Sequence, residues 1–503
     1  MVYIQGKDRR QLQVTCLDDM VDNDSIVRVI DCFIDRLDLC ELGFETRGDR
    51  ATGRIPYSPE LLAKILVFGY TEDIRSSRRL ERACHNNTEM MWLAQGLAPD
   101  HKTLANFRRD NSEAIQALFE EFGSFTQYAG LIGKKVLALD GTKMRASNSK
   151  KRMLTQKKLR RQIRHHEKRV GEYLDALACA DDEERADEAK IEAAHHRQRA
   201  QEAKTQLDAL EDAGTGELGR TDGDAHNMGD RTTGVHPCYN VQAMADAQAH
   251  IVVSFDVKTT ADDHGHIAQM AEAASTALRT TNITTVADKG YWGHADIQAC
   301  QQKGLDVVIA PQGKAHSLDG TQISLDSFRY LDATESYICP GGNVLSSHSR
   351  RETKVRRFYN REACATCRLA HECLSGKKRY RTIYRQPYSA ILEEAARHYE
   401  ENLDTYALRQ QTIEHVFGTI KRSMGADHFL MRGMRNVRCE AALLFLAYNV
   451  KRATNALGFE GMMTALEGYF SLLAKHGIPG LMHLSAVVLA FIWPKRAAVS
   501  VPG

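Results

Sequence analysis

Three acidic residues lie far apart in this chain of 503 residues, each in a segment that can hold it in place. Asp140 and Asp288 end the short apolar runs "VLALD" and "TTVAD", which are typical of buried strands. Glu414 lies in "TIEHVFGTIKR", a proline-free stretch that predicts a helix. Carboxylate oxygens are the ligands that Mg²⁺ prefers, so three carboxylates brought together would bind divalent ions beside a phosphate group.

The predicted helix also carries Lys421, seven residues after Glu414. In an α-helix, seven residues return to within about 20° of the starting direction, so both side chains are predicted on one side. The carboxylate would then hold a metal ion while the ammonium contacts the phosphodiester backbone of the same substrate. Such spacing is also ordinary in amphipathic helices, so the pair indicates a site only together with the two upstream aspartates.

The elements that must position these residues follow a recognisable order. The predicted sequence is a strand ending at Asp140, two strands, a helix, a strand ending at Asp288, a helix, a strand, and the helix with Glu414. This order predicts an α/β core of the ribonuclease H-like type, a mixed sheet flanked by helices. Such a core would hold two metal ions roughly 3.5–4 Å apart for in-line displacement at phosphorus.

Composition and local patterns divide the chain into five predicted parts. The predicted catalytic core comprises residues 131–150, 215–312 and 386–460. Residues 1–130 are predicted to form an all-α N-terminal DNA-binding domain, and residues 151–214 a helical-hairpin insertion. Residues 313–385 are predicted to form a small basic Cys-rich insertion, and residues 461–503 a helical C-terminal tail.

The N-terminal part shows clear helix starts. Ser58 precedes proline and an apolar stripe, and Asp100 opens "DHKTLANFRRD" as a capping residue. The second of these helices presents Lys102, Arg108 and Arg109, which are candidate DNA contacts. A helical bundle with a solvated basic face explains the same stretch equally well.

A heptad seam runs through residues 151–214. Its members are spaced four and three residues apart, as in two helices that pack along one stripe: Leu159, Ile163, His166, Val170, Tyr173 and Leu177, then Ala186, Ala189, Ala193, His196, Ala200, Ala203, Leu207 and Leu210. The pattern predicts an antiparallel helical hairpin, coiled-coil-like, with a strongly basic beginning. The hairpin would bind DNA or mediate dimerisation. The alternative is a hairpin whose charged residues are only solvated.

Four cysteines fall within the basic insertion, namely Cys339, Cys364, Cys367 and Cys373. A Cys-x-x-Cys pair with two further cysteines suits a tetrahedral structural Zn²⁺ site, in which His348 or His371 is an alternative ligand. The insertion has few apolar residues, so a metal ion would supply its order. The alternative is four free thiols on a loop.

The overall composition, 43% hydrophobic and 26% charged residues, is ordinary for a soluble globular protein. The first residues lack the apolar core of a signal peptide, and the longest apolar run, residues 481–493, is shorter than a membrane span. We therefore expect a cytoplasmic protein with no membrane partner, whose 12 cysteines are reduced or bind metal.

The motifs together resemble a bacterial insertion-sequence transposase of the DDE class. "ALDGTK", "ADKGY" and "YALRQQTIEHVFGTIKR" resemble its three acidic motifs, and "YSPELLAKILVFGY" and "PDHKTLANFRRD" resemble its amino-terminal domain. The cysteine-bearing insertion before the glutamate helix resembles that of one subgroup. The resemblance implies a catalytic triad of Asp140, Asp288 and Glu414 that binds two Mg²⁺ or Mn²⁺ ions.

The same resemblance implies that Tyr406, Arg409 and Lys421 contact DNA near the scissile phosphate. The family pattern has three residues between Arg and Glu, whereas this chain has four, which predicts that Arg409 lies about 140° around the helix from Glu414.

The implied activity is DNA transposition by a nucleoid-associated homodimer. Water would attack the phosphodiester at an element end, and the freed 3′-hydroxyl would attack target DNA. Two alternatives are a metal-dependent nuclease of the same fold without strand transfer, and a non-catalytic DNA-binding protein derived from a transposase. The intact set of three carboxylates favours an enzyme.

Overall fold

The computed structural model describes most of the chain, namely residues 16–45, 55–179, 183–212, 214, 216–230, 234–312, 323–348, 355–375 and 378–475. Much of the predicted tail, from residue 476 on, and parts of the Cys-rich segment lie outside the described residues.

Fifteen α-helices are described, in chain order α1 Ile26–Asp35, α2 Pro59–Thr71, α3 Ser77–Asn86, α4 Thr88–Leu93, α5 His101–Asp110, α6 Ser112–Tyr128, α7 Gln156–Ala178, α8 Glu183–Asp212, α9 Ile267–Leu278, α10 His294–Gln302, α11 Arg361–Ala365, α12 Ala370–Cys373, α13 Ser389–Glu401, α14 Leu403–Gly418 and α15 Met434–Lys475. A π-helix, Thr419–Ser423, follows α14, and α15 is interrupted at Gly458. None of the described helices is long and apolar enough to span a membrane.

Thirteen strands are described, in chain order β1 Val136–Arg145, β2 Met153–Thr155, β3 Glu217–Gly219, β4 His226–Asp230, β5 Gly234–Asp246, β6 Val252–Lys258, β7 Thr284–Ala287, β8 Asp306–Ile309, β9 Arg329–Leu331, β10 Ser336–Ile338, β11 Val344–Ser347, β12 Arg356–Tyr359 and β13 Ile383–Arg385.

The chain divides into two units, each assembled from separate segments. Unit 1 comprises the described residues up to Asp262, residues Ala273–Thr280, and the described residues from Gln410 on. Unit 2 comprises Asp263–Glu272 and Thr281–Arg409. The division falls inside α9 and α14.

The helical core of unit 1 joins the two ends of the described chain. Helices α1, α2 and α6 all pack against α15, and residues Leu61–Thr71 of α2 are buried throughout. Phe33 of α1 meets Phe122 edge-on at 5.1 Å, and Phe125 meets Tyr469 of α15 at 5.7 Å. All regular elements described before β1 are helical, as the sequence predicts.

Both predicted helix starts in this core are confirmed. The Ser58 hydroxyl accepts a hydrogen bond from the Leu61 N–H, and Asp100 accepts from Lys102 and Thr103. These bonds satisfy N–H groups that a helix leaves without partners at its beginning.

The sheet of unit 1 is antiparallel. Strand β5 pairs with β1 on one edge and with β4 and β6 on the other. Strand β1 continues past Asp140 to Arg145, because Gly141–Arg145 stay paired with β5. The prediction that the first strand ends at Asp140 is therefore wrong. The drop in hydrophobicity after Leu139 marks partial exposure of the strand rather than its end.

Helices α7 and α8 form the predicted antiparallel hairpin. Leu159 and Ile163 of α7 pack with Ala203 and Leu210 of α8 in one apolar cluster. Ion pairs Arg160–Glu211 at 3.1 Å and Glu167–Lys204 at 2.7 Å follow the same antiparallel order. The alanines on the seam let the two helices approach closely.

Unit 2 contains two separate groups of strands. Strands β7 and β8 pair in parallel, as is usual for strands joined by a helix, here α10. Strands β9 to β13 form a five-stranded antiparallel sheet in the order β13-β12-β11-β10-β9. With antiparallel and parallel pairs and abundant helix, the chain is the mixed α/β protein that the sequence predicts.

The Cys-rich segment has an apolar core of its own, contrary to the prediction. Phe328, Tyr337, Leu345, Phe358 and Ile383 pack together on the five-stranded sheet. Four of these side chains lie on strands only three or four residues long, and Phe328 directly precedes β9. The sequence pattern hid the core because no single strand is long enough to show clear alternation.

Candidate active site

Asp140 lies in the middle of β1, opposite Ala243 of β5. Its carboxylate oxygen Oδ1 accepts a hydrogen bond of 2.8 Å from the Gly141 N–H, and the residue is partly exposed. Side chains two residues apart along a strand point to the same face, so Thr142 shares the face of Asp140.

Lys421 binds this strand directly. Its ammonium lies 2.5 Å from the Thr142 hydroxyl oxygen and 3.2 Å from the Lys143 carbonyl oxygen. The end of the glutamate helix is therefore attached to the strand that carries Asp140, two residues from the carboxylate. Lys421 lies beside the predicted site, but it also holds two protein groups there.

The helix that carries Glu414 differs from the prediction at its end. Helix α14 is α-helical up to Gly418, but Thr419–Ser423 forms a π-helix that includes Lys421. The α-helical spacing between Glu414 and Lys421 therefore does not apply, because i→i+5 hydrogen bonds advance the chain by less rotation per residue. Such wide turns are frequent at functional sites. Glu414 itself is exposed and accepts a 3.4 Å hydrogen bond from Gln410.

A buried ion pair fixes the loop that follows the π-helix. Arg75 donates to the carbonyl oxygens of Gly425 at 2.7 Å and His428 at 2.8 Å, and contacts Glu440 at 3.4 Å. Glu440 is 0% exposed and accepts hydrogen bonds from the N–H groups of Leu430 and Met431.

The same loop is also bonded to the end of β1. The Arg145 N–H donates to the Asp427 carbonyl, and the Arg145 carbonyl accepts from the Phe429 N–H. The loop is thus held between the strand of Asp140 and a charge pair contributed by α15 and the loop between α2 and α3.

Asp288 lies in unit 2, directly after β7, where the sequence predicts it. Its Oδ1 accepts a 2.7 Å hydrogen bond from the Gly290 N–H, which orients the carboxylate at the start of a short 3₁₀ turn. Asp140 and Glu414 belong to unit 1 and Asp288 to unit 2, so the meeting of the three carboxylates stays a prediction.

Gly290 is closely surrounded by carboxylates. A Cβ atom there would lie 2.8 Å from Asp288 Oδ1 and 3.2 Å from Asp263 Oδ2. The glycine of "ADKGY" is therefore required by space, because a side chain would displace the Asp288 carboxylate.

We expect Gly290→Ala to fold normally and to lower DNA cleavage by about 10²-fold, the effect of displacing a reacting group by about an ångström. Cleavage of an end-containing DNA measures this. Gly123→Ala, which meets no atom within 4 Å, is the matched control. Equal cleavage by the two variants would contradict the assigned role of the Asp288 carboxylate.

Tyr406 and Arg409 lie together on the part of α14 that belongs to unit 2. The Arg409 guanidinium carbon is 6.0 Å from the centroid of the Tyr406 ring. Burial raises the pKa of the Tyr406 hydroxyl, the Arg409 charge lowers it, and the negative charge of Asp288 raises it further. Tyr406, Arg409 and Asp288 all belong to unit 2.

The three predicted DNA-contacting cations of α5 differ in their surroundings. Lys102 and Arg109 are exposed, and Arg109 pairs with Asp110 at 2.7 Å. Arg108 is buried and donates to the Tyr70 hydroxyl at 2.8 Å and to the Arg75 carbonyl at 3.1 Å. Arg108 is therefore part of the core of unit 1 rather than of its basic surface, which corrects the prediction for this residue.

The four cysteines of the Cys-rich segment line one cavity. Asn343, Leu345 and Ala370 also line it. Burial raises the pKa of the Cys373 thiol, the Arg381 charge lowers it, and the other three cysteines raise it. Among the described residues, the group of three possible ligand atoms that lie within 4.8 Å of one another belongs to side chains of α8. The four thiols do not form such a group, so they would have to move closer together to share a metal ion.

Neither candidate histidine lines that cavity. His348 Nε2 lies 3.1 Å from the Tyr359 carbonyl oxygen, and its ring stacks on Tyr359 at 3.8 Å. The exposed His371 contacts Glu372 at 3.1 Å. The donors around the cavity are therefore the four thiols.

Sequence reasoning missed three residues that hold the site. The position of Thr142 in "ALDGTK", two residues after the aspartate, was a usable signal, because strand alternation places both on one face. Arg75 and Glu440 gave no signal, since a charged residue in a helical pattern is normally read as exposed.

Two family models match the chain. The model described as "Transposase DDE domain" matches residues 338–454, which include Glu414, Lys421 and the four cysteines. The model described as "Transposase domain (DUF772)" matches residues 15–110, which include α1 to α5. A search of curated proteins finds no match.

The two matches lie in the order expected of one transposase chain, and the residues between them carry the two aspartate motifs. A helix with the predicted glutamate is attached through Lys421 to the strand with the first aspartate. The two family matches therefore support an insertion-sequence transposase of the DDE class.

Proposed function

We propose that this transposase cleaves DNA at the ends of its element and joins the freed 3′-hydroxyl to target DNA, with Asp140, Asp288 and Glu414 as metal-binding catalytic residues. The observation that carries the proposal is the Lys421–Thr142 bond, which attaches the glutamate helix to the strand of Asp140. A ribonuclease H-like core is the arrangement that this order of elements favours.

The donor set fits Mg²⁺ or Mn²⁺. Asp140 and Glu414 are at least partly exposed, and Asp140 and Asp288 each have one oxygen oriented by a backbone N–H. Hard divalent cations take oxygen ligands of this kind and keep several waters. Two bound ions would supply activation of the attacking oxygen and stabilisation of the leaving oxygen.

Each chemical step exchanges one phosphorus–oxygen bond. In the first, a water oxygen bonds to phosphorus, its proton passes to solvent, and the bond to the 3′-oxygen breaks to leave a 3′-hydroxyl. In the second, that hydroxyl loses its proton and its oxygen bonds to a target phosphorus, while the target 3′-oxygen leaves and is protonated. Lys421 would place positive charge beside the phosphate, while the loop held by Arg75 and Glu440 keeps the helix end in position.

The reaction products test the proposal. The purified protein is incubated with Mg²⁺, a target plasmid and an oligonucleotide taken from the DNA that flanks the reading frame. The oligonucleotide ends in a 3′-hydroxyl or a 3′-dideoxy nucleotide. We expect cleavage of uncut ends, and joining only for the 3′-hydroxyl oligonucleotide. Cleavage without joining would instead establish a nuclease, and DNA binding without either would establish a binding protein.

We further propose that the four cysteines hold a structural Zn²⁺ ion and that the protein acts as a homodimer on DNA. Zn²⁺ would deprotonate the thiols and draw them together. Pairing of two element ends requires two copies of the site. The exposed cations Lys102 and Arg109 remain candidate phosphate contacts.

We expect Cys367→Ser to lose thiolate-bound metal while unit 2 stays folded, because the five-stranded sheet has its own apolar core. Reconstitution with Co²⁺ measures this, since thiolate ligands give an intense charge-transfer absorption. Cys179→Ser, at an exposed cysteine on the hairpin, should leave the absorption unchanged. An absorption of unchanged intensity in Cys367→Ser would refute the four-cysteine site.

A further inference from the structure

The hairpin of α7 and α8 carries four histidines at its middle, namely His165, His166, His195 and His196. Two of them occupy the heptad seam and meet across it: His166 Nδ1 and His196 Nδ1 are 2.8 Å apart. The neighbouring seam positions are apolar, such as Ile163 and Ala193. A pair of imidazoles therefore takes the place of apolar side chains at this point of the seam.

A carboxylate and a second imidazole lie beside this pair. Ligand atoms of Glu192, His195 and His196 all lie within 4.8 Å of one another. The spacings of three and four residues along α8 put these side chains on one helix face. Glu192 and His195 are exposed, so an ion can enter from solvent.

The imidazole on the facing helix is placed to join this group, because His166 Nδ1 lies 2.8 Å from His196 Nδ1. Neutral imidazole binds metal ions through such a nitrogen. Arg199 opposes a cation, but it also contacts Glu202 at 3.5 Å.

A simpler explanation covers only part of the arrangement. A single polar pair in a heptad seam fixes helix register, and the His166–His196 hydrogen bond does that. Register alone requires neither Glu192 nor His195 to lie within ligand distance of His196. Three nitrogen donors and one carboxylate, drawn from two helices, are a ligand set for Zn²⁺ and similar ions.

We propose that Glu192, His195 and His196 of α8, together with His166 of α7, bind a Zn²⁺-class ion that clamps the two helices of the hairpin. Nitrogen ligands at 2.0–2.1 Å from Zn²⁺ lie slightly farther apart than two hydrogen-bonded nitrogens, so a small shift converts the hydrogen bond into a shared metal ion. The site is independent of the catalytic carboxylates and of the cysteine cavity.

The test uses full-length protein freed of metal by a chelator and titrated with Zn²⁺ against a chromophoric competitor. We expect His195→Ala and Glu192→Gln to lose one bound Zn²⁺ per chain, or to weaken its binding at least about tenfold, the least that perturbing a metal shell costs. Both side chains are exposed, so the helices should keep their circular dichroism. Co²⁺ at this site should lack thiolate absorption, which separates it from the cysteines.

Glu188→Gln is the matched control, because it makes the same change one helical turn earlier at an exposed position. It should bind Zn²⁺ as the unchanged protein does. The proposal is overturned if all three variants bind the same number of ions with the same affinity, or if every bound Co²⁺ ion shows thiolate absorption.

Discussion

Replacing Asp288 by asparagine should reduce DNA cleavage by at least about 10²–10³-fold while DNA binding stays unchanged. Removal of one preorganised electrostatic group at a reacting centre has an effect of this size. Asparagine keeps the shape of the side chain and an oxygen that can accept the Gly290 N–H bond. It removes the negative charge that a divalent ion requires. Single-turnover cleavage and gel-shift binding measure the two quantities.

Asp404→Asn is the matched control for this variant, since Asp404 is an exposed carboxylate of α14 in the same unit. It should cleave at the unchanged rate. Normal cleavage by Asp288→Asn would show that Asp288 is not a catalytic ligand. Loss of DNA binding by that variant would point to a role in structure instead.

Replacing Glu440 by alanine should lower the free energy of unfolding of unit 1 by about 3–5 kcal/mol, the cost of breaking a buried ion pair by removing one partner. The substitution leaves the Arg75 guanidinium buried and unpaired with Glu440, and it deprives two backbone N–H groups of their acceptor. Urea unfolding, followed by the fluorescence of Trp92 in unit 1, measures the loss of free energy. Trp292 and Trp493 are replaced by phenylalanine so that the signal comes from Trp92 alone.

Glu113→Ala provides the comparison, because Glu113 of α6 also pairs with an arginine of unit 1 that lies in α15. Glu113 pairs with Arg435 of α15 at 2.5 Å, but both side chains are more than half exposed. An exposed pair contributes less than about 1 kcal/mol because water screens it. If Glu440→Ala cost no more than Glu113→Ala, the Arg75–Glu440 pair would not fix the loop after the π-helix.

Local rules predicted much of this molecule correctly. Capping residues located the beginnings of α2 and α5, the apolar run before Asp288 located β7, and heptad spacing located the hairpin. Each of these features depends on residues close together in sequence. The periodicity of a helix or a strand therefore sufficed.

The errors arose where distant residues decide the structure. The strand of Asp140 continues because β5, about 100 residues later, supplies its hydrogen-bond partners. The helix after Gly418 widens where Lys421 binds Thr142, nearly 280 residues earlier in the chain. Arg108 is buried because Tyr70 and Arg75 provide acceptors for it. None of these partners can be read from the local pattern.

The shared core of α1, α2, α6 and α15 has a consequence for incomplete copies of the gene. During synthesis α1, α2 and α6 emerge first, yet their apolar faces must wait for α15, which begins about 300 residues after α6 ends. A shortened polypeptide that stops before Met434 would keep those faces exposed and would be removed by proteases. Decayed copies of such an element would then yield no stable fragment able to occupy its ends and block the intact enzyme.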